Sequence, residues 1–419
     1  MRILTALLVS AAALRGATPA FPGAEGFGAD TPGGRGGSGI AVTNLDDSGP
    51  GSFRAACEAE GPRIIVFRVG GLIDLKKNIV VRNPNITIAA QTAPGDGICL
   101  RDHQIVIDTH DVILRYLRSR PGDISGNEVD AISVAGSSRK VIADHCSATW
   151  SVDEALSPSG GISDVTVQWC LIAEGLNNSV HKKGPHGYGS LVRAIGGLSL
   201  HHNLWAHNRG RNPRLGDNYG KPPFPIFDVR NNVIYDHGGP SVTGDTFEAN
   251  YIANYIKPGP ATGRPLPIGP TYKAALKFYV DGNEVSGKIT VDLFSKMQGV
   301  TLVAKPFEAP AVRTVSAEEA YKVVLAGAGA TVPVRDAVDE RIIADVRNGT
   351  GGFVDSQKQV GGWPEYKSAP APKDTDGDGI PDDWELAHGL NPKDPRDASK
   401  VRPGGYVAIE EYINSLARP

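Results

Sequence analysis

Beyond Asn85 the chain alternates short apolar stretches with polar turns. Set beneath one another, these stretches share one frame. DVILRYL ends at Leu117, KVIADHC at Cys146, DVTVQWC at Cys170 and GLSLHHN at Asn203; FDVRNN puts Asn232 and TFEAN puts Asn250 at the same point. The steps run from 18 to 33 residues. Units of this length, each unable to bury its apolar face alone, mark a solenoid, and one coil of a parallel β-helix needs a comparable length. Like residues then stack roughly 4.8 Å apart along the axis, so Asn203, Asn232 and Asn250 are expected to form an inward ladder of hydrogen bonds. A β-sandwich of antiparallel hairpins would instead show Asn-Gly or Asp-Gly turns at shorter, steadier intervals. The pattern predicts an all-β parallel β-helix. It also puts Cys146 and Cys170 on neighbouring rungs, either as a disulfide or as a pair of buried thiols.

The flanks follow other patterns. Phe21 to Gly39 is glycine-rich, and GRGGSG within it matches the dinucleotide signature GxGxxG. Coil precedes that match and the strand-like IAVTNL follows it, the reverse of the strand-then-helix setting the signature needs, so a tight coil is expected. Ser48 to Ser52 reads as a turn, Phe53 to Glu58 as a short helix and Arg63 to Val69 as a buried strand. Residues 257–300 are irregular and proline-rich before alternating strands resume. Ser316 to Leu325 predicts a helix N-capped by Ser316, and Asp336 to Arg347 a second one closed by Asn348-Gly349. SAPAPK, residues 368–373, reads as a linker. The expected organisation is a β-helix domain over 21–367, the linker, and a small module over 374–419.

Residues 1–20 read as a secretory signal: Arg2, an apolar run from Ile3 to Leu14, and small residues at Ala17 and Ala20. The run is too short and alanine-rich for a membrane span. A secreted or periplasmic protein is expected, with no membrane partner and monomeric. A formal charge of −3 argues against a nucleic-acid binder. Four cysteines without CxxC spacing make neither a disulfide scaffold nor a structural zinc site.

Four stretches carry chemistry. HHNLWAHNRGRNPR, residues 201–214, holds Arg209, Arg211 and Arg214, whose planar forks fit carboxylates two bonds at a time. The run reads as a solvated basic turn or as a site for an acidic substrate; His201, His202 and His207 match no metal-ligand spacing. EGLNNSVHKKGPHGYGSL puts His181, Lys182, Lys183 and His186 in a glycine-flanked loop. Asp130 and the pair Asp153-Glu154 follow loops on consecutive coils, and converging carboxylates without cysteine favour a hard cation such as calcium over zinc. Asp144-His145 lies inside a strand and suits a structural hydrogen bond. Finally, DTDGDGIPDDWE fits the calcium-loop template, with Asp374, Asp376 and Asp378 at its first three acidic positions, Gly379 at the sharp turn, Asp382, and Glu385 at the end. Pro370 and Pro372 block an entering helix, so this part resembles a dockerin-like or thrombospondin-type-3-like module. The following stretch KVRPGGYVAIEE has Lys400, Arg402 and Gly404 where carboxylates belong and is not expected to bind calcium.

FPGAEGFG, PGGRGG, VTNLDDSGPGSFRAA, NITIAAQTAPGDGI, DHCSATW, HGYGSL and HHNLWAHNRGRNPR together resemble the polysaccharide lyase family that contains the pectate lyases, in its bacterial secreted branch. The resemblance covers Phe21 to Tyr255 and continues more weakly to Tyr366. It implies a right-handed parallel β-helix and calcium aspartates at Asp130 and Asp153. A further family aspartate falls on Ser157, so Glu154 is the substitute. Lys183 matches a lysine that contacts a substrate carboxylate, with His181 and Arg209 beside it. Arg211 matches the catalytic arginine, followed by Pro213. The second arginine position is Gly216, so Arg214 would have to serve. The implied reaction is β-elimination on polygalacturonate, giving 4,5-unsaturated products. Methyl-esterified pectin or another polyuronate is the alternative within lyases. Outside them stand a β-helical glycoside hydrolase using Asp144 with Asp153-Glu154 and a non-catalytic polysaccharide binder.

Overall fold

A computed structural model describes residues 18–239, 241–242, 245–263, 268–269, 275–289, 294 and 299–417. The expected signal segment lies outside the described residues up to position 17, as do parts of the proline-rich stretch. The fold is a parallel β-helix whose coils visit three sheets in turn. An 11-stranded sheet runs the length of the body, from Ser38–Val42 to Val300–Leu302. A 10-stranded sheet lies second, and a 4-stranded sheet of Ile79–Val81, Ile105–Ile107, Ile132–Val134 and Leu156–Pro158 closes the coil. The third face continues through Leu191–Ala194 and Arg214–Asp217, joined to it by the bridge between Ser159 and Arg193.

The register explains why these sequences stack. Ile65, Ile88, Leu114, Ala143, Val167, Leu200, Val229 and Tyr251 pair in succession along the long sheet, each almost wholly inaccessible. Each rung thus adds one side chain to a continuous apolar column, and area removed from water stabilises it. At the corner between the first two sheets, Tyr116, His145, Trp169, His202, Asn231 and Ala253 all take positive φ, between 50° and 58°. This conformation is costly for side chains. Ring stacking between successive corners offsets it, with centroids 4.8 Å apart for Tyr116–His145 and 4.4 Å for Trp169–His202.

The residue after each corner points inward. Leu117, Cys146, Cys170, Asn203 and Asn232 occupy that position, as the sequence frame predicts. Cys146 and Cys170 are buried free thiols. The next inward residue is Asn254, not Asn250. The frame slips because TFEANYIANY carries two asparagines four apart, and the strand Phe247–Ile252 runs through the first. Asn250 instead faces outward, bonding Asp228 and the Phe307 main chain. The true ladder is Asn203, Asn232, Asn254 and Asn283: each Oδ1 accepts the main-chain N–H of the rung before it, at 2.9–3.0 Å.

Both outer faces of the main sheets are covered. Helices Ala317–Gly327 and Ala337–Asn348 begin at the expected caps Ser316 and Asp336. Their residues Val324, Ile342, Ile343 and Val346 pack on Leu171, Leu204 and Val233 of the second sheet. The glycine-rich run lies across the long sheet, and close approach requires several of its glycines: a Cβ on Gly34 would stand 1.9 Å from the Arg63 carbonyl oxygen. Residues 374–417 cover the first rungs of the same sheet, where Ile380, Ile409 and Ile413 meet Ile64, Val66 and Ala89.

Candidate active site

The third face carries the site because loops just before its strands stack on one another. Asp130 precedes Ile132–Val134, Glu154 precedes Leu156–Pro158, Tyr188 precedes Leu191–Ala194, and Gly210-Arg211 precedes Arg214–Asp217. Parallel bridges join Glu154 to Tyr188 and Tyr188 to Gly210. The Ala131 N–H donates to the Glu154 carbonyl at 3.1 Å. Residues far apart in sequence therefore converge on consecutive coils.

Asp130, Asp153 and Glu154 bring their oxygens within 4.8 Å of one another. Asp130 Oδ2 accepts from Ser133 Oγ at 2.8 Å, and Oδ1 from the Glu154 main-chain N–H at 3.1 Å. Burial, with the neighbouring Asp153 charge, pushes Asp130 up to about 7. Carboxylates pressed together until one resists ionising make a donor set suited to a hard cation. Ser157 is buried, with its Oγ accepting from the Leu191 N–H at 3.0 Å. It cannot act as the third carboxylate, and Glu154 stands beside the other two.

Arg211 sits in the left-handed region at φ 56°. Its guanidinium lies 4.2 Å from the Tyr188 ring centroid and pairs with Glu154. Burial lowers its pKa, while Asp153 and Asp130 oppose that shift. Buried Asn208 and Asn212 brace the turn through a 3.1 Å side-chain bond. Arg214 opens the next strand and is likewise shifted down by burial and by Arg193.

Gly216, the second-arginine position, pairs in register with Arg193. A Cβ there would stand 3.3 Å from Arg214 Nη1 and 3.5 Å from Arg193 Nη1. Two guanidiniums thus converge over the glycine together with the Asp245 carboxylate, whose Oδ2 would be 2.7 Å from that Cβ. Arg193, which sequence reasoning missed, also pairs with Asp245 at 2.9 Å and lies 4.2 Å from the ring centroid of exposed Tyr219.

The 181–187 loop closes one side. His181 and His186 are buried and stacked with centroids 3.4 Å apart, their Nε2 atoms 3.9 and 3.8 Å from Asp153. His181 Nδ1 accepts the Lys183 N–H at 3.1 Å, so His181 braces the loop and turns its other nitrogen to Asp153. Lys183 is exposed. Arg209 is also exposed, and its guanidinium is tied to the Pro185 carbonyl at 2.6 Å rather than joined to Arg211.

Other candidates lie elsewhere. Asp144 is buried in the long sheet, where His145 and Arg115 outweigh burial and hold its carboxyl below the usual range. It does not join Asp153-Glu154, so the hydrolase pairing of Asp144 with those two carboxylates is not formed. His207 is buried against Asp236 at 2.8 Å. At the C-terminus Asp374, Asp376 and Asp378 cluster, as do Asp378, Glu385 and Asp397, whereas Asp382 turns away to Lys373 and Thr375.

No protein-family model matches the chain. It is 39% identical over 436 residues to a probable pectate lyase C of Neosartorya fischeri, covering 99% of both chains. It is 37% identical to another from Aspergillus terreus, covering 95% of this chain and 94% of that one. These relatives are fungal; the family is shared with them, and they do not assign the chain to a bacterial branch. Among solved structures, a pectate lyase bound to a hexasaccharide superposes with TM-score 0.56 at 14% identity, covering 75% of this chain and 98% of that one. A Bacillus subtilis pectate lyase mutant gives 0.55 at 15%, covering 73% and 96%. Both share the β-helix. With near-complete coverage at this identity, the chain belongs to the pectate lyase family.

Proposed function

We propose that the chain cleaves polygalacturonate by calcium-assisted β-elimination, releasing 4,5-unsaturated oligogalacturonides outside the cytoplasm. The observation that carries this reading is the juxtaposition of Arg211, half-buried over Tyr188, with the Asp130–Asp153–Glu154 cluster. A calcium ion held by those three carboxylates would bind the uronate carboxylate, acidify the adjacent C5 proton, and neutralise charges that keep Arg211 protonated. Arg214 and Lys183 bind further substrate carboxylates, and the exposed Arg209 adds positive charge at the rim. Arg211 takes the C5 proton, the C4–O4 bond breaks with its electron pair going to O4, which takes a proton from water, and a C4=C5 double bond remains. Arginine is an uneasy base because its pKa ordinarily exceeds 12. Burial moves it in the needed direction, so activity should rise toward alkaline pH.

The test follows ultraviolet absorbance with polygalacturonate and calcium. A lyase generates a conjugated product, a hydrolase only new reducing ends, and a binding protein neither. Arg211→Lys is expected to lower kcat by about a hundredfold or more, since the base and its planar fork are lost together. Near-normal turnover in that variant ends the arginine assignment. Turnover that survives complete calcium removal ends the cation assignment.

A further inference from the structure

The C-terminal loop 374–385 lies apart from this site, against the first strands of the long sheet. Its carboxylates are not disposed as the twelve-residue template predicts. Asp382 accepts from Lys373 Nζ at 2.8 Å and from the Thr375 N–H and hydroxyl at 2.7 Å, which clips the loop entrance. Asp397, from a later turn, comes within 4.8 Å of Asp378 and Glu385 instead.

What points to a ligand is a set of buried oxygens without donors. Glu385 is fully buried, and neither of its carboxylate oxygens has a hydrogen-bond partner among the described residues. The same holds for Asp376 Oδ2, Asp378 Oδ2 and Asp397 Oδ1. The opposite oxygens are each fixed by a main-chain N–H: Asp376 Oδ1 by Asp378 at 3.3 Å, Asp378 Oδ1 by Ile380 at 2.8 Å, and Asp397 Oδ2 by Asn391 at 2.8 Å. Five acceptor oxygens on four carboxylates are thus gathered around Asp378, with Asp376 within 4.8 Å of it on one side and Glu385 and Asp397 on the other. Burial and mutual repulsion push Glu385 up to about 8 and Asp378 up to about 7. Buried charge without partners is strongly unfavourable unless a cation supplies them.

We infer that Asp376, Asp378, Glu385 and Asp397 bind a divalent cation of the calcium class, with Asp382 outside the ligand set, and that this cation clasps the C-terminal module to the β-helix. An all-oxygen set with a glutamate able to bind through both oxygens suits calcium over zinc or magnesium. The clasp follows from what the loop touches. Asp374 accepts from the Gly377 and Gly379 N–H groups and pairs with Arg68 beside the sheet at 3.2 Å. The Asp378 carbonyl oxygen lies 1.9 Å from where a Cβ on Gly39 would stand, and Ile380 packs with Ile64 and Val66. In the next stretch Arg402 pairs with Glu411 at 3.1 Å, an internal cation where a second loop would need a metal.

Calcium binding to the full chain, measured by equilibrium dialysis in an Asp153→Asn background, separates this site from the active site. One calcium should remain bound. Asp397→Asn and Glu385→Gln should each weaken it roughly tenfold or more, while Asp382→Asn, outside the ligand set, should weaken it less than either. Loss of all calcium from the Asp153→Asn chain, or an Asp382→Asn effect as large as that of Asp397→Asn, overturns the assignment. Should the ligand variants fail to fold, the unaltered chain still decides: chelation should open trypsin cleavage after Lys373, and equal cleavage with and without calcium refutes the clasp. Failure of the lyase assay would leave these readouts untouched.

Discussion

Arg211 and Glu154 face each other in an ion pair, and that pair sets two opposing demands. A carboxylate on the guanidinium keeps it protonated, whereas proton abstraction needs it neutral; a cation drawing on Glu154 reconciles them. Glu154→Gln should therefore raise the calcium concentration for half-maximal activity by about tenfold, the cost of a lost ligand. It should also move the alkaline rise in activity to lower pH, because one charge that holds the proton on Arg211 is gone. Initial rates across pH and calcium concentration measure both, and an unchanged pH profile contradicts the pairing. That Asp130, Asp153 and Glu154 come together was legible because they follow loops on consecutive coils, while Arg211 was singled out through the family resemblance. Arg193, Tyr188 and Asp397 were not. Each comes from a different coil or turn, and the coil lengths are too irregular to say which loops meet.

At the scale of the strand and its corner, the repeat was visible because every coil needs an inward apolar or amide residue at one place. Its slip at Asn250 shows the limit: composition cannot tell an inward asparagine from an outward one four residues away. The inward ladder makes a strong prediction. Asn232→Leu would leave the Asn203 N–H without its acceptor and the Leu200 carbonyl without the Asn232 donor. Each orphaned buried group costs about 1–3 kcal/mol, so roughly 2–6 kcal/mol should be lost in urea unfolding. The corners add a pH dependence. Burial, then Arg313 and His145, push His202 down to about 4 from 6.5. Between those values the folded state binds fewer protons than the unfolded one. Stability from this group is therefore complete above pH 6.5, declines as pH falls and levels off below 4, a total of about 3 kcal/mol. His202→Asn, tolerated at positive φ, should flatten the fall in urea midpoint between pH 6.5 and 4.5; an equally steep fall assigns the acid lability to other groups.

For the molecule as a whole, the two ends of the described chain are stitched together on the outer face of the long sheet, away from the third face that carries Arg211. The glycine-rich run brings Arg35 to the junction. Its Nε donates to both Glu410 oxygens at 3.0 and 2.9 Å, Nη1 to the Thr18 carbonyl at 3.0 Å and Nη2 to the Pro19 carbonyl at 2.7 Å. Glu410 is almost wholly buried, and burial raises its pKa against the pull of Arg35. Removing only the arginine strands a buried carboxylate, a change that costs about 3–5 kcal/mol, whereas removing both charges costs less. Arg35→Ala should thus lower the calorimetric melting temperature clearly, and Arg35→Ala with Glu410→Gln should recover part of the loss. Turnover of polygalacturonate at saturating calcium should stay near that of the unaltered chain in both variants, because none of these groups touches the site. A double variant as unstable as the sum of its two single variants would show that the ends are held by apolar packing of Ile380, Ile409 and Ile413 alone; partial recovery shows that the buried pair itself couples the ends of the chain.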